Sequence, residues 1–277
     1  MKFAKAYSQI VRELRDCSDE EKKNVLPRFF KTGKGEYGEG DRFLGVTVPL
    51  TRKVAKNHKN TSYEVLEALL ESEWHECRLC ALLILIEKYK KEPDVVVRFY
   101  LEHLKGINNW DLVDLSAPYI LGDYLVATGT REILYDLAKS SVMWEQRIAV
   151  VSTLMLIRNG LFDDTLKLAE MFLDTKHDLM QKATGWMLRE IGKRNQEILV
   201  EFLEKHRHVI FLFGIPLRMN RTDRFSLFLH LCICCVFSEL YQLYTVHQKK
   251  CCGQKYGRDP DCRQSHRDRH NSAQTCS

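Results

Sequence analysis

The chain has 277 residues and 45% hydrophobic content, enough for one large or two ordinary domains with a sizeable core, which excludes a disordered chain. Of its 42 basic and 37 acidic residues, ten and five fall from His208 onward, which leaves 32 of each sign before it. The body is formally neutral despite the net charge of +5, so any nucleic-acid contact there needs a local basic patch rather than an overall charge.

Apolar residues recur at helical spacing along the chain and hardly ever alternate, which predicts helix after helix. Phe3, Tyr7, Ile10 and Leu14 form the first stripe. Ser18-Asp19-Glu20-Glu21 reads as a capping box with Ser18 at the N-cap, opening a helix to about Phe30. Residues 31–45 break the rhythm. This stretch, from Lys31 to Gly45, holds five glycines with Lys31, Lys34, Tyr37 and Arg42, and cannot be helix interior. It reads as a flexible basic loop laid against a phosphate backbone or a partner, or as a solvated connector; it lacks the spacing and the preceding strand of a P-loop.

Thr61-Ser62-Tyr63-Glu64 repeats the capping device before a helix to Glu71, and a long apolar helix follows from about Glu73 to Lys91. It contains Cys77 and Cys80, which read as buried ordinary thiols, since neither zinc ribbons nor thioredoxin motifs place a lone CxxC in mid-helix. After a helix over 94–105, Asn109–Thr128 reads as one helix with a kink at Pro118. On it Trp110 and Asp114 stand four residues apart and share a face, whereas Asp111 points about 100° away. An indole beside a carboxylate is a receptor for positive charge, although a helical Trp also commonly serves the core.

Further helices are expected at 130–140, at 142–159 with Gly160 as a left-handed stop, and at 163–174, 177–193 and 195–206. Arg147, three residues after Trp144, could fork onto a phosphate or pair locally. Lys182, Trp186, Arg189 and Lys193 fall at i, i+4, i+7 and i+11, a basic stripe with an indole set in it, suited to a phosphate backbone or simply a solvated face. Short connections and long apolar helices alternating with amphipathic ones describe an all-α fold, an α-solenoid of degenerate HEAT-like helical pairs repeating at about 35–45 residues.

Composition changes at His208. Seven of the ten cysteines lie beyond it, and the longest apolar run, from Phe225 to Phe237, is too short for a bilayer span. The expected organisation is a helical domain over 1–207 and a divergent, Cys-rich basic tail over 208–277, disordered or weakly packed. Few body cysteines and no secretory signal point to an intracellular protein, nuclear if eukaryotic and otherwise cytoplasmic.

Four segments in order resemble the AlkD-type DNA alkylation-repair glycosylases: 29–46, Asn109-Trp110-Asp111-Leu112-Val113-Asp114, the Gln146-Arg147-Ile148-Ala149 run, and Gln181 to Gly192. The resemblance covers about 1–206 and departs from His208, where the family's usual last helix is not recognisable. It implies a solenoid that holds duplex DNA on its concave face as a monomer, without metal or cofactor, and excises cationic N3- or N7-alkylated purines. In that scheme Asp114 stabilises the developing sugar cation and orients a water, and Trp110 and Trp186 flank the lesion. Arg147 holds a phosphate, with Lys31, Lys34, Tyr37, Arg42, Lys182, Arg189 and Lys193 as further DNA contacts. The rival reading is a non-catalytic α-solenoid that binds DNA structures or a protein partner with the same face.

Overall fold

A computed structural model describes residues 2–206, and the expectations for 208–277 lie outside the described residues. Among the described residues every regular element is helical; a single bridge, Arg42 to Trp74, is the one extended pairing. Helix α1 (Lys2–Asp16), α2 (Glu20–Phe29) and α3 (Val48–Asn57) precede four helical pairs. The first helices of the pairs are α4 (Tyr63–Leu70), α6 (Pro93–Glu102), α9 (Glu132–Ala138) and α11 (Asp163–Met171). Their partners are α5 (His75–Tyr89), α7 (Trp110–Ala117) continued through 118–122 by α8 (Asp123–Thr128), α10 (Met143–Arg158) and α12 (Asp178–Gly192), and α13 (Gln196–Lys205) packs on α12.

The second helices touch one another in chain order, α5 to α7, α7 to α10 and α10 to α12, and form a continuous inner layer. They begin at 75, 110, 143 and 178, which are steps of 35, 33 and 35 residues, so the repeat is regular in space although no residues recur. One hydrogen-bonding device marks its register. Ser72, Ser140 and Thr175 each accept, through the hydroxyl, the N–H two residues on, and each carbonyl accepts from the side chain six residues on, Arg78, Gln146 and Gln181, at 2.7–2.9 Å. The hydroxyl satisfies the N–H of the residue that caps the helix, and the long side chain satisfies a carbonyl of the connection leading into it. Asn109 takes over the start of α7, accepting from the N–H of Trp110.

Helices α5 and α10 are buried on nearly every side, from His75 to Leu85 and from Arg147 to Ile157 with the exception of Met155. A helix that is apolar all round belongs inside, and each Leu or Ile so covered contributes about 1.5–3 kcal/mol. The kink expected at Pro118 is a π-helical turn over 118–122. Pro118 has no N–H to give the carbonyl of Asp114 four residues back, and Ser152 of α10 reaches across to the carbonyl of Ala117. Gly122 then lies so close to α10 that a Cβ there would sit 2.5 Å from the carbonyl oxygen of Ser152.

Near the start of the chain, one helix cap and one whole helix differ from the sequence expectation. The N-cap of α2 is Asp19, one residue later than Ser18, because its carboxylate accepts the N–H of Lys22 at 3.1 Å. Helix α3 was not expected at all: its three buried positions, Thr51, Val54 and Ala55, are small or polar and give little periodic signal, although Pro49 in its first turn is a start marker.

The glycine-rich stretch is not a loose connector. It is pinned to the first turn of α5, where the buried Glu76 carboxylate accepts the N–H groups of Leu44, Gly45 and Val46 at 2.8–3.0 Å. Gly45 has φ +84 and packs on the carbonyl of Asp19, which a Cβ would approach to 2.3 Å. Gly45→Ala is therefore expected to destabilise the protein by at least about 1–2 kcal/mol, read as a lowered Tm. An unchanged Tm would show that the contact yields freely.

Candidate functional site

Asp114, Arg147 and Lys182 are each the fifth residue of their inner helix, so three consecutive helices present a carboxylate, a guanidinium and an ammonium in one register. The corresponding residue of α5 is the buried Leu79, so the charged strip begins at α7. Arg147 grips Asp114 side-on: Nε donates to Oδ1 at 3.0 Å and Nη2 to Oδ2 at 2.9 Å. Its remaining nitrogen, Nη1, donates to the carbonyl of Leu179, which ties α12 to the same knot. The Arg147 side chain is 6% exposed and that of Asp114 12%, so the pair lies at the inner margin of the layer.

Burial raises the Asp114 carboxyl above the ordinary carboxylate value, and the charge and hydrogen bonds of Arg147 oppose that rise without cancelling it. Both carboxylate oxygens accept from the guanidinium, the arrangement of an ionised carboxylate. Each of the three Arg147 nitrogens donates within the protein, which engages three of the five N–H groups on which the expected phosphate contact would draw.

Trp110 belongs to an aromatic core. Its ring stacks on Phe30 at 5.3 Å and meets Phe29 edge-on at 5.9 Å, and Phe43 and Leu179 complete the buried group. Trp186 is half-buried on α12, seven residues after Leu179 and therefore on the same helical face. Tyr37 of the loop meets Trp144 of α10 edge-on at 6.0 Å, with the Lys31 ammonium 5.7 Å above the Tyr37 ring. Trp144 was noted in the sequence only as a neighbour of Arg147; nothing in its spacing announces contact with a residue more than a hundred positions earlier.

The expected DNA contacts divide. Lys31, Lys34 and Lys193 are exposed and Lys182 is half-buried with its ammonium 3.7 Å from Asp178. Arg42 pairs with Glu73 at 2.6 Å and lies 4.5 Å over the Trp74 ring. Arg189 is only 3% exposed, with Nη2 3.6 Å from Glu190, so the basic stripe expected on α12 is interrupted in its middle. Arg189 is buried although it lies seven residues after Lys182, on the same face of α12.

A buried polar network adjoins the site and was missed in the sequence. His75 stands between two carboxylates, with Nε2 2.8 Å from Asp111 and Nδ1 3.1 Å from Asp41. Asp41 also accepts from Arg78, Asn108 and Asn109. Burial pushes the His75 imidazole down, but the charge of Asp111 and hydrogen bonds to Asp111 and Asp41 outweigh it and carry it up to about 9. Asp111 does point away from the Trp110 face, as the helical period requires, and it points at His75. Cys77 and Cys80 are buried free thiols, and burial pushes Cys77 up to about 11 and Cys80 higher still.

A sequence model described as "DNA alkylation repair enzyme" matches residues 10–211. No curated protein matches the chain. A solved structure of a predicted DNA alkylation repair enzyme from Enterococcus faecalis superposes with a TM-score of 0.53 over 68% of this chain and 89% of that one, at 19% identity, which is a likeness of fold. No helix among the described residues is long and apolar enough to cross a membrane.

Proposed function

The chain belongs to the DNA alkylation repair enzyme family, and from that premise we propose that it is a DNA glycosylase releasing N3- and N7-alkylated purines from duplex DNA, acting as a monomer. The observation that carries this reading is Asp114, a largely buried carboxylate fixed side-on by Arg147 at the margin of the inner layer. An alkylated purine is already cationic, so it leaves as a neutral base without protonation by a general acid. The charge that needs support is the one that develops on the sugar. A single carboxylate in a fixed orientation supplies that support and can orient the attacking water, half of the arrangement that glycosidases use.

In this reading Arg147 is a positioning residue: it sets the orientation of Asp114 and favours its ionised form. Trp186 offers a π-face to the cationic nucleotide, and Trp110 contributes the part of its ring that Phe29 and Phe30 leave uncovered. The backbone contacts fall to the amines of Lys31, Lys34, Lys182 and Lys193. Lys34→Ala and Lys182→Ala are each expected to weaken binding to damaged and undamaged duplex alike and to lower the salt slope by about one. A loss confined to damaged DNA would reassign them to the lesion.

Burial of Arg147 and Arg189, with Arg42 left exposed beside Glu73, favours the rival, a non-catalytic solenoid that binds DNA structures or a protein partner with the same face. Release of N7-methylguanine from methylated duplex DNA by the purified chain separates the two. Release that is absent while duplex binding persists would overturn the glycosylase reading.

A further inference from the structure

Helix α7 does not place Asp114 by itself. Its first turn is fastened from outside by the network around His75, a residue only 2% exposed. Asp41, at the end of the glycine-rich loop, accepts from Nδ1 of His75 and from the amide of Asn109, the residue that caps α7. Asp111, in the first turn of α7, faces the other ring nitrogen. The imidazole face stacks on Phe43 at 4.7 Å and lies 4.9 Å from Phe30, whose ring in turn stacks on Trp110. We propose that His75, held as a cation between Asp41 and Asp111, is a positioning residue that locks the glycine-rich loop to the start of α7 and so sets where Trp110 and Asp114 stand.

The geometry requires the cation. Ionised carboxylates only accept, so a ring with a carboxylate at each nitrogen needs a proton on both; a neutral imidazole would set a lone pair against one of them. Asp41 is kept ionised by Arg78, Asn108 and Asn109, and its carboxyl lies below the ordinary value despite burial. The charged groups facing the ring are Asp41 from the loop, Arg78 from α5 and Asp111 from α7, and Glu76 beside it is committed to the loop N–H groups. With His75 protonated, two cations meet two aspartates. Without that proton, two buried carboxylates face one neutral ring across the joint between loop and helix. Asp111 and Asp114 share one rigid helical turn, so a shift at the first is carried to the second.

Because His75 titrates above its unfolded value of 6.5, the lock is complete below that pH and is lost as pH rises through about 9. The test rests on the glycosylase reading only for its activity arm. Wild type, Asp111→Asn and His75→Gln would be followed from pH 6 to 10 by three measurements: histidine ring NMR, tryptic cleavage after Lys31 and Lys34 normalised to an unstructured peptide at each pH, and single-turnover release of N7-methylguanine corrected for protein-free DNA. In the wild type, cleavage rises and release falls by about tenfold or more in the same step in which His75 loses its proton, the size expected when a reacting group is misplaced. Asp111→Asn removes the main attraction and moves the step to lower pH, and His75→Gln is slow and flat. Overturning results are a His75 neutral at pH 7, a loop and rate indifferent to its titration, or a midpoint unmoved by Asp111→Asn. If His75→Gln does not fold, the other two proteins decide; if no purine is released at any pH, the glycosylase reading fails and cleavage with NMR decides for His75.

Discussion

Asp114→Asn is expected to lower single-turnover base release by about 10²–10³ or more while duplex affinity stays within a few-fold of wild type. The amide has nearly the shape of the carboxylate and leaves the exposed lysines untouched, so binding to the phosphate backbone has no reason to change. What it removes is the negative charge that faces the developing sugar cation, and that interaction strengthens only in the transition state. The substitution also strips Arg147 of half its partner: the amide carbonyl can accept one guanidinium N–H, whereas its NH₂ group opposes the second. A moderate fall in Tm therefore accompanies the loss of activity, and the assay must be run well below it. The same carboxyl gives a pH dependence with a defined sign. Because burial raises it above the ordinary carboxylate value, release falls on acidification before a solvated aspartate would protonate. Retention of most of the wild-type rate in Asp114→Asn at neutral pH would remove Asp114 from the chemistry.

How far the sequence reaches depends on what each residue's signal is made of. Helix positions were legible because apolar spacing at 3.6 residues is a local property; α3 escaped because Thr51 and Ala55 bury little area and its exposed face is crowded with Arg52, Lys53 and Lys56. The solenoid repeat was legible as alternation of helix types but not as a register. Its marks are a hydroxyl and a long donor six residues later, as in Ser72 with Arg78, Ser140 with Gln146 and Thr175 with Gln181, and such residue types occur everywhere in solvated helices. Trp110 and Asp114 could be paired from spacing alone because i and i+4 lie on one helix. The partners of Asp114, Tyr37 and His75 could not, because Arg147, Trp144 and Asp41 reach them across 33 to 107 residues of chain. Arginines are the hardest residues to read from sequence. Their sequence signature is the same whether the guanidinium faces a phosphate or is buried on a carboxylate, and in Arg147 and Arg189 the fold uses it inside.

Arg147→Ala is where that distinction has its largest measurable effect. A phosphate contact would predict weaker binding on every duplex and a salt slope lower by about one. The observed geometry predicts something else. Removing the guanidinium leaves Asp114 buried with no counter-charge and takes the donor from the carbonyl of Leu179, so α7, α10 and α12 lose their common tie. Breaking one side of a buried ion pair costs about 3–5 kcal/mol, which is a large share of the 5–15 kcal/mol by which a typical domain is stable. The stranded carboxyl then relieves its own burial by binding a proton, since the one group that opposed the rise is gone. Base release should accordingly collapse at neutral pH to about the level of Asp114→Asn, and partly recover as pH is raised and the carboxyl ionises again. The salt slope for duplex binding should stay as in wild type. Arg147→Lys restores a charge but not the fork, and is expected to recover part of the stability and little of the orientation. Denaturant unfolding, the salt dependence of binding and the pH profile of release on these two variants check the assignment together: a flattened salt slope with unchanged stability would return Arg147 to the DNA backbone and leave Asp114 to hold its place by other means.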